Sequence, residues 1–82
     1  PFNPSTKISY ALPTESKVKI QVFNILGESV ATLINQVVAA GSHTIEWNAS
    51  NLSSGVYLYR ITAESVSGSK QFNSVKKMIL MK

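Results

Sequence analysis

Side chains that could act as nucleophiles, acid–base groups or metal ligands are few in this sequence of 82 residues, and they lie far apart. There is no cysteine and one histidine, His43, which is too few imidazole and thiolate donors for a metal site. The only acids are four glutamates on separate stretches of the chain: Glu15, Glu28, Glu46 and Glu64. A catalytic carboxylate pair needs a cleft that shifts a pKa, and a chain of this length has room for one core. We therefore expect no enzyme activity, no cofactor and no metal ion.

Other motifs and the net charge also give little support to catalysis or nucleic-acid binding. Serines are plentiful, but there is no Gly-x-Ser-x-Gly elbow, and the four glycines are too far apart to form a phosphate-binding loop. The net charge is +4, and residues 66–82 contain four lysines and no acid. Such a tail can attract nucleic acid or anionic lipid, but a solvated surface is the simpler interpretation, and we expect no nucleic-acid partner. No stretch approaches the roughly 20 apolar residues of a membrane span.

The pattern of polar and apolar residues predicts β-strands throughout the chain. The two kinds alternate without a break over 17–22, which indicates a half-buried strand with Val18, Ile20 and Val22 facing the core. Residues 28–34 indicate another strand, although their spacing fits a short helix almost as well, and 35–41 are predicted to form a loop. The remaining predicted strands are 7–12, 43–47, 56–63 and one or two within 70–82.

Six or seven short strands separated by turn residues are typical of an all-β, immunoglobulin-like β-sandwich of antiparallel strands. A small barrel of the oligonucleotide-binding kind is the alternative. Trp47 lies on a strand that we predict to stand opposite Tyr57 and Tyr59. We expect this tryptophan in the core, because a domain with a single core needs its largest apolar groups inside. The alternative is an aromatic platform that stacks on bases or sugars.

Five segments of the chain, taken in order, resemble the type A C-terminal sorting domain of the type IX (Por) secretion system. They are 1–13 (PFNPSTKISYALP), 22–30 (VFNILGESV), 40–48 (AGSHTIEWN), 52–61 (LSSGVYLYRI) and 76–82 (KKMILMK), and together they cover essentially the whole chain. The motif residues to which we assign a structural role are Gly27, Gly41, Trp47, Gly55, Tyr57 and Arg60. The sequence departs from the family at Asn24 and Asn48, where the family often has aspartate, and residues 66–74 are slightly longer than expected.

The resemblance implies that the chain is a C-terminal secretion signal. A cargo protein that carried it would reach the periplasm through an upstream signal peptide. The outer-membrane translocon would then direct it to the cell surface or the medium, and a sortase-like peptidase often removes the domain. We accordingly expect residues 1–82 to be a single C-terminal domain excised from a longer secreted protein, with the cargo domain upstream. The alternative is an immunoglobulin-like adhesion, carbohydrate-binding or structural module of a bacterial surface protein.

The last segment is the candidate site of translocon recognition, because a chain end is free to be engaged by a partner. It comprises Lys76, Lys77, Met78, Ile79, Leu80, Met81 and Lys82. In a strand, Met78 and Leu80 face one side while Ile79 and Met81 face the other, so one apolar pair can enter the core while the other lies outside it. An exposed apolar pair beside positive charge suits strand addition or docking into a groove of a translocon protein. The alternative is a buried central strand that is needed only for folding.

Overall fold

The computed structural model describes residues 5–68 and 70–81, and within these residues it contains six β-strands and no helix. The strands are β1 (Ser5–Leu12), β2 (Ser16–Phe23), β3 (Ser29–Val38), β4 (Gly41–Asn48), β5 (Gly55–Ser65) and β6 (Gln71–Leu80). They form a two-stranded sheet, β1–β4, and a four-stranded sheet in the order β3–β2–β5–β6, and every neighbouring pair is antiparallel. The predicted sandwich of antiparallel strands is confirmed, and the barrel alternative is wrong because the strands form two separate sheets.

β2 lies inside the larger sheet, between β3 and β5, and its sequence fits that position. Val18, Ile20 and Val22 are fully buried, whereas Lys17 and Lys19 are exposed and Gln21 is half-buried, so the period of two predicted from the sequence is confirmed. Burying each of these side chains contributes about 1.5–3 kcal/mol. A shift of the strand by one residue would place all three in solvent, so this pattern fixes the register of β2.

β3 is longer than the sequence pattern predicts. It extends to Val38, which pairs with Ser16 of β2, so the predicted loop over 35–41 is wrong and only Ala39 and Ala40 separate β3 from β4. The register of the β2–β3 pair shifts at two places, one of them between the pairs Ile20↔Ile34 and Gln21↔Thr32. An extra residue in one strand interrupts the strict alternation of faces. This irregularity explains why residues 28–34 resemble a helix almost as well as a strand.

The core between the sheets consists of two clusters of buried side chains. The first cluster contains Ile8, Leu12, Val18, Ile20, Val38, Ile61 and Ala63. The second cluster, which we call the tryptophan cluster, contains Val22, Trp47, Ala49, Tyr57 and Leu80. Each cluster draws side chains from both sheets, which therefore pack face to face.

Trp47 lies at the centre of the contact between the two layers. Its side chain is 5% exposed, and its ring meets that of Tyr57 edge to face, with the ring centroids 6.1 Å apart. The Tyr57 hydroxyl donates a hydrogen bond of 2.8 Å to the carbonyl oxygen of Ser53, which satisfies the polar end of this buried ring. The prediction that Trp47 belongs to the core is confirmed, and its buried ring cannot serve as a platform for sugars or bases.

Candidate functional site

The candidate recognition segment, residues 76–82, forms the second half of β6 and the residues just beyond it. Lys82 lies outside the described residues. β6 pairs with β5 on one side and is, with β3, one of the two edge strands of the four-stranded sheet. Among residues 5–68 and 70–81, no strand pairs with the backbone groups along the other side of β6. The strand is therefore not central in the sheet, although a role in folding alone is still compatible with its position.

The side chains of the recognition segment divide into an anchored pair and an exposed pair, as predicted. Leu80 is 1% exposed within the tryptophan cluster, and Met78 packs against the same cluster. Ile79 and Met81, which alternate with them, are 39% and 56% exposed. Met78 and Leu80 thus attach the segment to the core, while Ile79 and Met81 are exposed to solvent.

The two lysines that begin the segment lie on opposite sides of the sheet. Lys77 is paired with Leu58, whereas Lys76 is paired with Tyr59, and cross-strand partners share a face. Both lysines are exposed. Lys77 therefore belongs to the same side as Ile79, and Lys76 to the side that bears Met78 and Leu80.

Ile79 is part of a larger apolar surface that the sequence analysis missed. Side chains from three strands meet on the outer face of the four-stranded sheet, through the register pairs Val56↔Ile79 and Phe23↔Leu58 and the pairing of Val75 with Arg60. We call this surface the outer patch, and it consists of Phe23, Val56, Leu58, Val75 and Ile79. A signal was present in the sequence, because residues 56–59 of β5 are apolar or aromatic on both faces of the strand, which a strand with one solvated face does not need.

The outer patch includes one cation in a defined position. The guanidinium carbon of Arg60 lies 5.1 Å from the centroid of the Phe23 ring, within the range of a cation–π contact. Arg60 is exposed and lies between Gln21 of β2 and Val75 of β6 in the sheet. Its charged group is therefore oriented by the ring below it and remains accessible from solvent.

The second family-like motif forms the turn between β2 and β3. Gly27 has φ +84°, in the left-handed region that favours glycine, and its N–H donates a 3.0 Å hydrogen bond to the carbonyl oxygen of Asn24. Oδ1 of Asn24 accepts hydrogen bonds from the backbone N–H groups of Leu26, at 2.9 Å, and Glu28, at 3.0 Å. Nδ2 of Asn24 donates to Oε1 of Glu28 at 2.9 Å. The residue types of this motif are therefore the ones that the conformation of the turn requires.

Replacing Asn24 by aspartate should destabilise this turn unless Glu28 is changed as well. The aspartate would keep both backbone hydrogen bonds, but it would replace a donor with a second carboxylate facing Glu28. At an exposed site we expect this repulsion to cost less than about 1 kcal/mol. The double variant with Glu28→Gln should recover the loss, because the glutamine amide can donate to the aspartate. Urea unfolding of the four proteins tests this, and an equal effect of Glu28→Gln in both backgrounds would show that the two side chains are not coupled.

The other motif residues of the sequence analysis lie in structural positions. Gly41 and Gly55 are the first residues of β4 and β5. Asn48 bends the chain after β4, since its Oδ1 accepts a 2.9 Å hydrogen bond from the N–H of Ser50. These residues, like the buried Trp47 and Tyr57, stabilise the fold. They do not by themselves form a contact surface for a partner.

The side chains of His43 and Tyr10, which could take part in acid–base chemistry, make structural contacts. His43 donates through Nε2 to the carbonyl oxygen of Ala39, at 2.7 Å, and its ring lies 5.5 Å from that of Tyr10. Burial raises the pKa of the Tyr10 phenol above its ordinary value, so the hydroxyl stays neutral. Within residues 5–68 and 70–81, no group of three or more His, Cys, Asp and Glu residues is arranged to hold a metal ion. In the same part of the chain, no helix has the length and apolar character required to cross a membrane.

The geometry defines a small antiparallel β-sandwich whose candidate site is a surface for another macromolecule. The chain belongs to the secretion system C-terminal sorting domain family, whose model matches residues 1–80. No curated protein and no solved structure matches the chain. The domain is thus a C-terminal sorting signal for type IX secretion, which acts with the machinery of that system to export a cargo protein to the cell surface or medium. An adhesion, carbohydrate-binding or purely structural module is not favoured.

Proposed function

We propose that the export machinery reads this sorting signal at the recognition segment, residues 76–82. The observation that carries the proposal is the division of the segment. Met78 and Leu80 attach it to the tryptophan cluster, while Ile79 on the edge strand and Met81 just beyond its end are exposed to solvent. An edge strand with exposed apolar side chains can accept a strand from a partner or lie in a groove of that partner. The nearby lysines add positive charge to the same segment.

The partner in this proposal is a protein of the outer-membrane translocon. The cargo domain lies upstream in the same chain and enters the periplasm through its own signal peptide, and a sortase-like peptidase acts on the domain after translocation. In this proposal residues 1–82 are one domain with no enzymatic activity, and the work of the full-length protein is done by its cargo. The family membership and the exposed edge strand support this arrangement.

Fusing the domain to a reporter tests the proposal directly. A folded reporter with a periplasmic signal peptide and residues 1–82 at its C-terminus should appear in the medium or on the surface of a bacterium that has the type IX system. The same reporter without residues 1–82 should stay in the periplasm, and so should the full fusion in a strain that lacks the translocon. Retention of the full fusion in the competent strain, while the domain is folded, would contradict the proposed function.

A further inference from the structure

The outer face of the four-stranded sheet has two halves of different character. The half that carries Lys17 and Lys19 is hydrophilic and contains a groove of about 640 Å³. Its other cross-strand positions are occupied by Asn35, Thr62, Glu64, Gln71, Asn73 and the apolar Val37, and Ala63 and Phe72 also line the groove. The other half contains the outer patch. Both halves belong to the same four strands, so solvation of the sheet alone does not explain why only one half is apolar.

The outer patch is exposed enough to be a contact surface. Val75 is 58% exposed, Val56 and Ile79 are each more than a third exposed, and Phe23 and Leu58 are half-buried beside them. In the turn that follows β2, Ile25 and Leu26 are among the most exposed apolar residues of the described chain. An apolar surface that extends over three strands is typical of a protein interaction site.

The charges around the outer patch are positive. Arg60 is paired with Val75 and Lys77 with Leu58, which places both cations among the apolar side chains of the patch. The acid on this face is Glu64, which lies in the hydrophilic half. Glu28 lies in the β2–β3 turn, outside the strands that form the patch, where its carboxylate accepts a hydrogen bond from Asn24. Within residues 5–68 and 70–81, Arg60 has the Phe23 ring but no carboxylate as a partner. The complementary surface is therefore apolar and acidic.

A protein partner fits this surface better than a lipid membrane does. Two cations near an anionic membrane contribute about 1 kcal/mol each, which is little for stable attachment. A guanidinium held over an aromatic ring, by contrast, has its planar donors already oriented, and such a group suits the two oxygens of a carboxylate at a fixed position. The oriented arginine thus favours a partner of defined shape.

We propose that the outer patch, with Arg60 and Lys77, is a docking surface for a protein of the export machinery whose facing surface is apolar and carries carboxylates opposite these two cations. The inference rests on the proposed function, because it takes the partner to be the protein that reads the sorting signal. It extends the recognition surface beyond the last segment of the chain to β5 and the end of β2. Ile79 is the residue that the recognition segment and the outer patch have in common.

Matched pairs of variants in the reporter fusion test this inference. Val75→Ser and Val37→Ser remove similar apolar side chains, 58% and 53% exposed, from the two halves of the same face. Arg60→Glu and Lys19→Glu make the same change of charge on neighbouring rows of that face. A series of Arg60→Lys, Arg60→Gln and Arg60→Glu separates charge from packing on Phe23. Thermal unfolding of each purified domain establishes that it is folded.

We expect Arg60→Glu to reduce export of the reporter about tenfold or more, since like charges placed against each other are strongly unfavourable in an interface. Val75→Ser should reduce export to a similar extent, since it removes an apolar contact of the docking surface. Val37→Ser and Lys19→Glu should leave export unchanged, and export should fall in the order Arg60→Lys, Arg60→Gln, Arg60→Glu. Normal export by folded Val75→Ser and Arg60→Glu variants would overturn the inference and leave the proposed function intact. An equal loss for Lys19→Glu would also overturn it, because net charge rather than this surface would be responsible. Failure of the unaltered domain to export the reporter would overturn the proposed function and this inference together.

Discussion

Replacing Trp47 by alanine should remove a large part of the stability of the domain. The side chain is almost completely buried between the sheets, where it contacts Tyr57 edge to face and shares a cluster with Val22 and Leu80. Removing a buried aromatic side chain of this size costs about 3–5 kcal/mol. At roughly 0.05–0.15 kcal/mol per residue, a domain of this length has a total stability of only about 4–12 kcal/mol. The substitution therefore removes a large part of that stability.

Urea unfolding followed by far-UV circular dichroism measures this effect, since the variant has no tryptophan to report on its own environment. Tyr57→Phe is the matched control, because it keeps the ring and removes only the hydrogen bond to Ser53. We expect it to cost about 1 kcal/mol. A Trp47→Ala variant that stays fully folded and loses only an affinity for sugars or bases would contradict the core assignment.

Deleting residues 76–82 should abolish folding and export at the same time. The deletion removes Leu80 from the tryptophan cluster and takes away half of the strand that pairs with β5. Leu80→Ala alone should cost about 2–5 kcal/mol, because the side chain is completely buried. A loss of export in either protein therefore says nothing about recognition.

Substitutions of solvent-exposed side chains in the same segment separate recognition from folding. Ile79→Ser and the pair Lys76→Ala with Lys77→Ala change groups that face solvent, and we expect these variants to remain protease-resistant. Export of the reporter should fail in them if the segment is read by the translocon. The two lysines should also be changed separately, since they lie on opposite sides of the sheet. If export survives in every folded variant, the segment is needed for the stability of the domain and not for its recognition.

The sequence was most informative where the period of two is unbroken. The alternation around Val18, Ile20 and Val22 is sufficient to predict both the strand and its buried face, because β2 has one apolar side and one hydrophilic side. In β3 the same reasoning fails. Leu33 stands at the register shift between β2 and β3 and interrupts the alternation, and a bulge of this kind depends on the partner strand, not on the residues alone.

The candidate site could be predicted only in part, for a related reason. The alternation of Met78 and Leu80 with Ile79 and Met81 predicts which side chains can be anchored, and the structure confirms that division. The sequence does not reveal which strand lies beside β6, nor that Val56 is paired with Ile79 across 22 intervening positions of the chain. The outer patch exists only through such non-local pairings, so neither its extent nor the position of Arg60 above Phe23 follows from local patterns.

Because of the order of strands in the larger sheet, the free energy of local opening should differ from strand to strand. β2 is hydrogen-bonded on both sides and its inward side chains are fully buried, so its separation from the sheet amounts to unfolding of the whole domain. β6 is held by one neighbour and, near its end, by Leu80, and few of its other side chains are buried. Segments with few buried contacts and a free edge open at a lower free energy than the centre of a sheet. The strand that carries the recognition segment should thus open locally at a lower free energy than β2, and backbone amide exchange should be faster in β6 than in β2.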